Sequence, residues 1–135
     1  KIHYIKFFDE SRGIVAGDNT SLYTTDKGVT WTTFSDSVSG VLNSFFLDSL
    51  TGFKVTAQKI YKTTNCGVNW NLIFSQFGSG YKYYSIFFVS QNIGFITATW
   101  LGAGRVEKTT DGGLTWSVTS SANIGYNFVY FVNFS

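Results

Sequence analysis

The sequence predicts an all-β fold built from β-propeller blades. Three four-stranded antiparallel units are followed by one extra inner strand, as an incomplete propeller or one closed by oligomerisation. Three observations carry this. The pattern T-T-[DN]-x-G-x-[TN]-W occurs three times. An aromatic run, a turn and a Gly-led apolar segment precede each copy. The units recur about every 40 residues, the length of a four-stranded blade. Composition agrees: 19% of residues are aromatic and only 13% charged, a balance that favours strands over helix or disorder.

The first unit opens with Ile5-Lys6-Phe7-Phe8, then Asp9, then Gly13-Ile14-Val15, and reaches the motif at Tyr23-Thr24-Thr25-Asp26-Lys27-Gly28-Val29-Thr30-Trp31. The second has Ser44-Phe45-Phe46-Leu47, Asp48, Gly52-Phe53-Lys54-Val55 and the motif from Tyr61 to Trp70. The third has Ser85-Ile86-Phe87-Phe88, Gly94-Phe95-Ile96-Thr97 and the motif from Glu107 to Trp116. A fourth copy begins at Phe128-Val129-Tyr130-Phe131. Each unit reads as four short strands separated by Gly, Asn, Asp and Ser. In the first unit they fall at about 3–8, 13–17, 21–25 and 30–34. The blades are placed at about 2–35, 41–74 and 83–120, with the extra strand at about 127–133, in a single domain of residues 1–135.

The motif has a physical rationale. Asp26, Asn65 and Asp111 sit where two strands reverse, and a short carboxylate or amide there accepts backbone N–H groups of its own turn. Gly28, Gly67 and Gly113 supply the positive φ such a turn needs. Trp31, Trp70 and Trp116 bury a large apolar face between sheets, and the paired Thr residues stiffen the incoming strand. The acidic residues of the motif are therefore read as structural, not catalytic.

These residues resemble the Asp-box, or BNR, repeat, and look especially like the repeats of YCF48-related photosystem-II assembly-factor propellers and of secreted bacterial proteins. The middle copy departs from the pattern, with Asn65 for Asp and Asn69 for Thr, but both substitutes still hydrogen-bond in a turn. The resemblance implies a propeller and a secreted, cell-surface or periplasmic setting. It is weak for function, because sialidases, xyloglucanases, sortilins and non-enzymatic propellers share the box.

In a propeller blade the turn between strands one and two lies at the same end as the motif turn. The loop between strands two and three and the blade-to-blade linker lie at the other end. The resemblance implies that this second end holds the ligand. Spacing shows where it is elaborated. From the strand-two Gly to the Trp is 18 residues in the first two units (13 to 31, 52 to 70) and 22 in the third (94 to 116), the excess falling around Trp100-Leu101-Gly102-Ala103-Gly104. From the Trp to the next aromatic pair is 15 residues after the first and third units (31 to 46, 116 to 131) and 18 after the second (70 to 88), the excess falling around residues 76–81. Both insertions flank the same blade. Phe77, Tyr81, Lys82, Tyr83 and Trp100 are the candidate patch there, fit to stack on a sugar ring or anchor a protein partner, or else to pack on one another.

The composition argues against an enzyme. Sialidase chemistry, as the resemblance implies, needs an arginine triad and a Tyr/Glu pair; the chain has two arginines, Arg12 and Arg105, and two glutamates, Glu10 and Glu107. A usual glycosidase needs two carboxylates across a cleft. Asp26 and Asp111 belong to the motif turns and Asp9 and Asp48 to equivalent turns, which leaves Asp18 and Asp36 as the pair to test. His3 and Cys66 are each single, and no triad, phosphate loop or metal-ligand cluster is visible; no cofactor or metal is expected. A net charge of +2 does not suggest a nucleic-acid partner, and no apolar run is long enough to span a membrane.

The leading reading is a non-enzymatic binding or assembly scaffold for a protein or glycan. The alternatives are a glycoside hydrolase fragment and a structural subunit of an extracellular polymer built by strand addition. With no Met in the chain, Lys1 is expected to follow processing or excision from a longer protein. Three blades are fewer than the roughly four of the smallest closed propellers. A longer chain, a second copy completing a six-bladed ring, or strand exchange with a neighbour remain open.

Overall fold

The computed structural model describes residues 1–122, so the strand expected at 127–133 lies outside the described residues. Among the described residues, twelve strands form three four-stranded antiparallel meanders. Blade 1 holds β1 (Ile2–Phe7), β2 (Gly13–Gly17), β3 (Thr20–Thr24) and β4 (Thr32–Ser35). Blade 2 holds β5 (Asn43–Phe46), β6 (Gly52–Val55), β7 (Lys59–Thr63) and β8 (Asn71–Ser75). Blade 3 holds β9 (Tyr81–Phe88), β10 (Gly94–Trp100), β11 (Ala103–Thr109) and β12 (Ser117–Ala122). The first strands, β1, β5 and β9, contact one another in succession. The architecture is that of propeller blades, and the three sheets do not close into a ring among the described residues.

Strand four begins one residue after each motif Trp, because the indole closes the turn before pairing starts. Trp31 and Trp116 donate their Nε1–H to Gly28 and Gly113 carbonyls at 3.1 Å.

The Gly that opens strand two has a steric reason. Phe46 and Phe88 lie across the pairs Phe46↔Gly52 and Gly94↔Phe88. A Cβ at Gly52 or Gly94 would come within 2.5 or 2.7 Å of the ring. The glycine lets the ring lie flat on the sheet, where the next layer covers it.

Two blade junctions result. At the first, Ile14, Ala16 and Phe46 form the core with Tyr4, Phe8, Tyr23 and Trp70 against them. At the second, Phe53, Val55, Ile60, Tyr83, Ile86, Phe88, Ile96 and Ala98 form a larger core. Phe53 and Phe88 stack there with ring centroids 3.7 Å apart. The face of blade 1 that looks away from blade 2 is left open by the described residues: Phe7 is 43% exposed, where Phe46 and Phe88 are at most 1% exposed.

Blade 3 differs from its siblings in length. Its first three strands are two to four residues longer than their counterparts, and the added residues extend the sheet instead of forming a loop. Tyr81 pairs with Trp100, and Trp100 with Ala103. Leu101 and Gly102 close this hairpin with φ of 50° and 87°, the two left-handed residues of a type I′ turn.

Candidate functional site

The two ends of the blades are built differently. At one end the motif turns are near-copies of one another. Asp26 Oδ1 accepts Thr30 N and the Thr24 hydroxyl, both at 2.8 Å, and Oδ2 accepts the Thr30 hydroxyl at 2.5 Å. Asp111 repeats this with Thr115 and Thr109. Hydrogen bonds from the Thr30 hydroxyl and amide hold the Asp26 carboxyl down to about 2, and those from Thr115 hold Asp111 lower still. Both carboxylates are consumed by their own turns. Asn65 keeps the bonds to Thr63 and Asn69 N, while Trp70 turns its Nε1–H to Ser21 Oγ of blade 1 at 3.4 Å. Gly28, Gly67 and Gly113 have φ of 83°, 82° and 96°. The residue before each, Lys27, Cys66 or Gly112, is left-handed too, at 64°, 60° and 76°.

At the other end the two insertions meet. Leu101 N donates to Gly80 O at 3.0 Å, and Gln58 Nε2 to Gly78 O at 2.9 Å, tying the blade 2–blade 3 linker to the hairpin and to blade 2. Phe77, Leu101 and Trp100 stand 88%, 72% and 43% exposed around this junction. The Arg105 guanidinium lies 4.4 Å from the centroid of the Trp100 ring. Tyr81 packs edge-on to Tyr83 at 5.5 Å and lies against the second core.

A bulge decides which candidate side chains share a face. Thr97 pairs with Ser85 but Ala98 pairs with Tyr83, leaving Tyr84 as the extra residue. The bulge reverses the alternation along β9. Tyr83 and Tyr81 turn to the blade 2 side with Ile86 and Phe88, while Lys82 and Tyr84 turn to the other, where Lys82 Nζ lies 5.1 Å from the Tyr84 ring centroid. Tyr83 is fully buried, so it supports the patch from below and offers no surface of its own. Tyr81, Trp100 and Arg105 share one face below Leu101 at the hairpin tip, Lys82 lies on the opposite face of the sheet, and Phe77 stands exposed in the linker.

Below this surface, polar atoms lack partners. Tyr83 Oη, Arg105 Nε and Glu107 Oε1 are buried without a hydrogen bond. Tyr83 and Arg105 both pair with Ala98, and Glu107 follows two residues along the same face of β11. Burial pushes the Glu107 carboxyl up to about 7 and raises the Tyr83 phenol.

The two aspartates left over by the motif turns are engaged elsewhere. Asp36 Oδ2 accepts the fully buried Lys54 Nζ at 2.6 Å, and its Oδ1 accepts Val38 N. Burial pushes the Lys54 ammonium down and Asp36 opposes that shift. An open groove of about 470 Å³ lies beside Asp36 and Trp70, with this paired carboxylate at its wall. Asp18 Oδ1 accepts Val41 N at 2.7 Å, and Oδ2 faces His3 and the N-terminus. No cluster of three metal-ligating side chains occurs among the described residues. The Lys54–Asp36 pair and the Arg105–Trp100 stack have no local sequence signal, since each joins residues on different strands or blades.

No protein-family model matches the chain, and no curated protein matches it. Among solved structures it is similar to YCF48 bound to a D1 peptide, with TM-score 0.68 and 23% identity over 87% of this chain and 39% of that one. It is also similar to YCF48 from Cyanidioschyzon merolae, with TM-score 0.67 and 19% identity over 87% and 36% of the two chains. A third is an ancestral GH74 enzyme, with TM-score 0.66 and 16% identity over 93% and 19%. The chain thus spans 39%, 36% and 19% of these structures. At such identities the likeness is one of fold: a β-propeller segment with YCF48-like repeats.

Proposed function

We infer that this chain is part of a non-catalytic propeller scaffold that binds a protein partner through the loop end of blades 2 and 3. The carrying observation is the extended hairpin of blade 3. It leaves Trp100 and Leu101 exposed at its tip, tied through Leu101 N and Gly80 O to the linker that carries the exposed Phe77. Aromatic anchors next to an arginine on a rigid frame are the composition of binding hot spots. That one fold neighbour is YCF48 bound to a D1 peptide supports a peptide or protein as the kind of ligand. The hydrolase reading loses its leading pair, because Asp36 is spent on Lys54 and Asp18 on Val41 N. An extracytoplasmic setting belongs to this proposal.

The test uses the intact parent protein, immobilised and exposed to native extract. A partner retained by the wild type and by Val29→Ala, but released by Trp100→Ala and Tyr81→Ala, supports the reading. Polysaccharide hydrolysis that Asp36→Asn or Asp18→Asn abolishes would overturn it.

A further inference from the structure

Charge is unevenly distributed over the loop end. Residues 56–60, 75–84 and 97–106 build it around blades 2 and 3, and they contain three cations, Lys59, Lys82 and Arg105, with no carboxylate. The next acid along β11, Glu107, is buried and holds its proton up to about pH 7. Among the described residues, none of the three cations forms an ion pair. By contrast, all other acidic side chains sit on blade 1, in the linker to blade 2, or at the turn ends.

Arg105 is the focus. Its guanidinium stacks on the Trp100 ring at 4.4 Å, and its Nε is buried without a partner. Stacking fixes the plane of the fork and leaves its outer edge to receive a carboxylate bidentately, which a lysine cannot do. Trp100 carries that stack and Leu101 follows it at the hairpin tip, both exposed and apolar. The platform is held by the type I′ turn at Leu101-Gly102 and by the bonds to Gly80 and Gly78, so binding orders little of the protein.

An arginine stacked beside exposed apolar side chains, with two further cations and no carboxylate on the same segments, is complementary to a chain that sets an acid beside an apolar side chain. We propose that this end binds an extended acidic peptide, a Glu or Asp carboxylate lying on Arg105 and the adjacent apolar or aromatic side chain on Trp100 and Leu101. The proposal rests on the protein-binding reading above and adds the partner's chemistry. A nucleic acid also pairs anions with stacking groups, but three cations are few for a phosphate backbone, whose affinity grows with each phosphate neutralised.

The experiment is fluorescence anisotropy with three labelled peptides of one apolar pattern (alternating Phe and Leu), carrying Glu, Gln or Lys at the intervening positions. The Glu peptide is expected to bind about tenfold more tightly than the Gln peptide at low salt, the worth of one charge-assisted hydrogen-bonded pair, with the gap closing at high salt. Arg105→Gln should remove that gap, and Arg105→Lys should restore only part of it. Trp100→Ala should weaken the Glu and Gln peptides alike, and Val29→Ala at the turn end should change neither. Equal affinity for the Glu and Gln peptides overturns the acidic preference while leaving protein binding intact. No binding of either peptide by folded wild-type protein overturns the proposal, as does tighter binding of single-stranded oligothymidylate than of the Glu peptide.

Discussion

The two blade junctions solve the same packing problem in opposite ways. Between blades 1 and 2 the core is small, and a charge pair is sealed into it: Lys54 and Asp36 meet at 2.6 Å, with Lys54 also on the Thr20 carbonyl and 4.6 Å from the Trp70 ring centroid. Between blades 2 and 3 the core is large and aromatic, centred on the Phe53–Phe88 stack, and its buried acid, Glu107, has no partner. Each position is one step from the other in the repeat, since Lys54 pairs with Tyr61 and Ile96 with Glu107. The first junction uses its carboxylate for cohesion, which removes it from any chemistry. The second places unpaired polar atoms beneath the one end of the molecule that is elaborated.

If that contrast is right, the largest loss comes from the aromatic junction. Phe88→Ala should cost about 4 kcal/mol, because it empties the stack on Phe53 and the edge contact with Trp116 and leaves Gly94 bare. Urea unfolding midpoints measure it, and a cost near 1 kcal/mol would mean that the junction does not hold the blades together. Lys54→Met should cost about 3 kcal/mol, since it leaves the nearly buried Asp36 carboxylate without its counter-charge. Adding Asp36→Asn should recover about half of that, and no recovery would sink the pairing as the cause.

What was legible in the sequence follows the same division. The repeat turns were readable because every partner lies within a few residues: Thr24, Asp26, Gly28 and Thr30 specify one another locally. The end that carries the insertions was readable from spacing alone, since up-and-down strands fix which loops lie together. Long-range choices were not. Alternation counted from Phe88 and Ile86 puts Lys82 beside Trp100, and only the bulge at Tyr84 exchanges it for Tyr83 and Tyr81. A lysine in an apolar strand gives no hint that Asp36, 18 residues earlier, is its partner. Spacing alone put the extra residues around Trp100 in the loop between strands two and three, yet they pair as strand, and Gly102 is the turn residue that lets the hairpin lengthen.

The second junction should also be the pH-sensitive one. The Glu107 carboxyl is raised from 4.5 to about 7 by burial, so the folded protein keeps a proton that the unfolded chain releases. The stability this supplies is complete below about pH 4.5 and is lost as pH rises through about 7. Glu107→Gln should therefore stabilise the protein at pH 8, on the order of 2 kcal/mol, and leave it nearly unchanged at pH 4. Thermal unfolding across that range gives the answer, and a constant difference between variant and wild type at all pH values would contradict it. Tyr83→Phe should add about 1 kcal/mol at every pH, because it removes a buried hydroxyl that has no partner.

The smallest effect separates the turn from the junction it sits on. Lys27 and Cys66 occupy the same left-handed position in successive repeat turns, where the third turn has Gly112. A non-glycine residue there costs about 1 kcal/mol, and glycine's greater freedom in the unfolded chain takes back most of that. Lys27→Gly lies in a turn whose far side is open, so it reports the backbone alone and should stabilise by about 0.3 kcal/mol. Cys66→Gly makes the same backbone change next to Gly67, whose Cβ position lies 2.9 Å from Ser21 Oγ of blade 1. The Cys66 thiol is partly buried there, and burial raises its pKa. Its loss should cancel the backbone gain, leaving Cys66→Gly neutral or slightly destabilising while Lys27→Gly stabilises. Equal gains in paired urea titrations would show that the first junction ends at Ser21 and Trp70 and draws nothing from the Cys66 side chain.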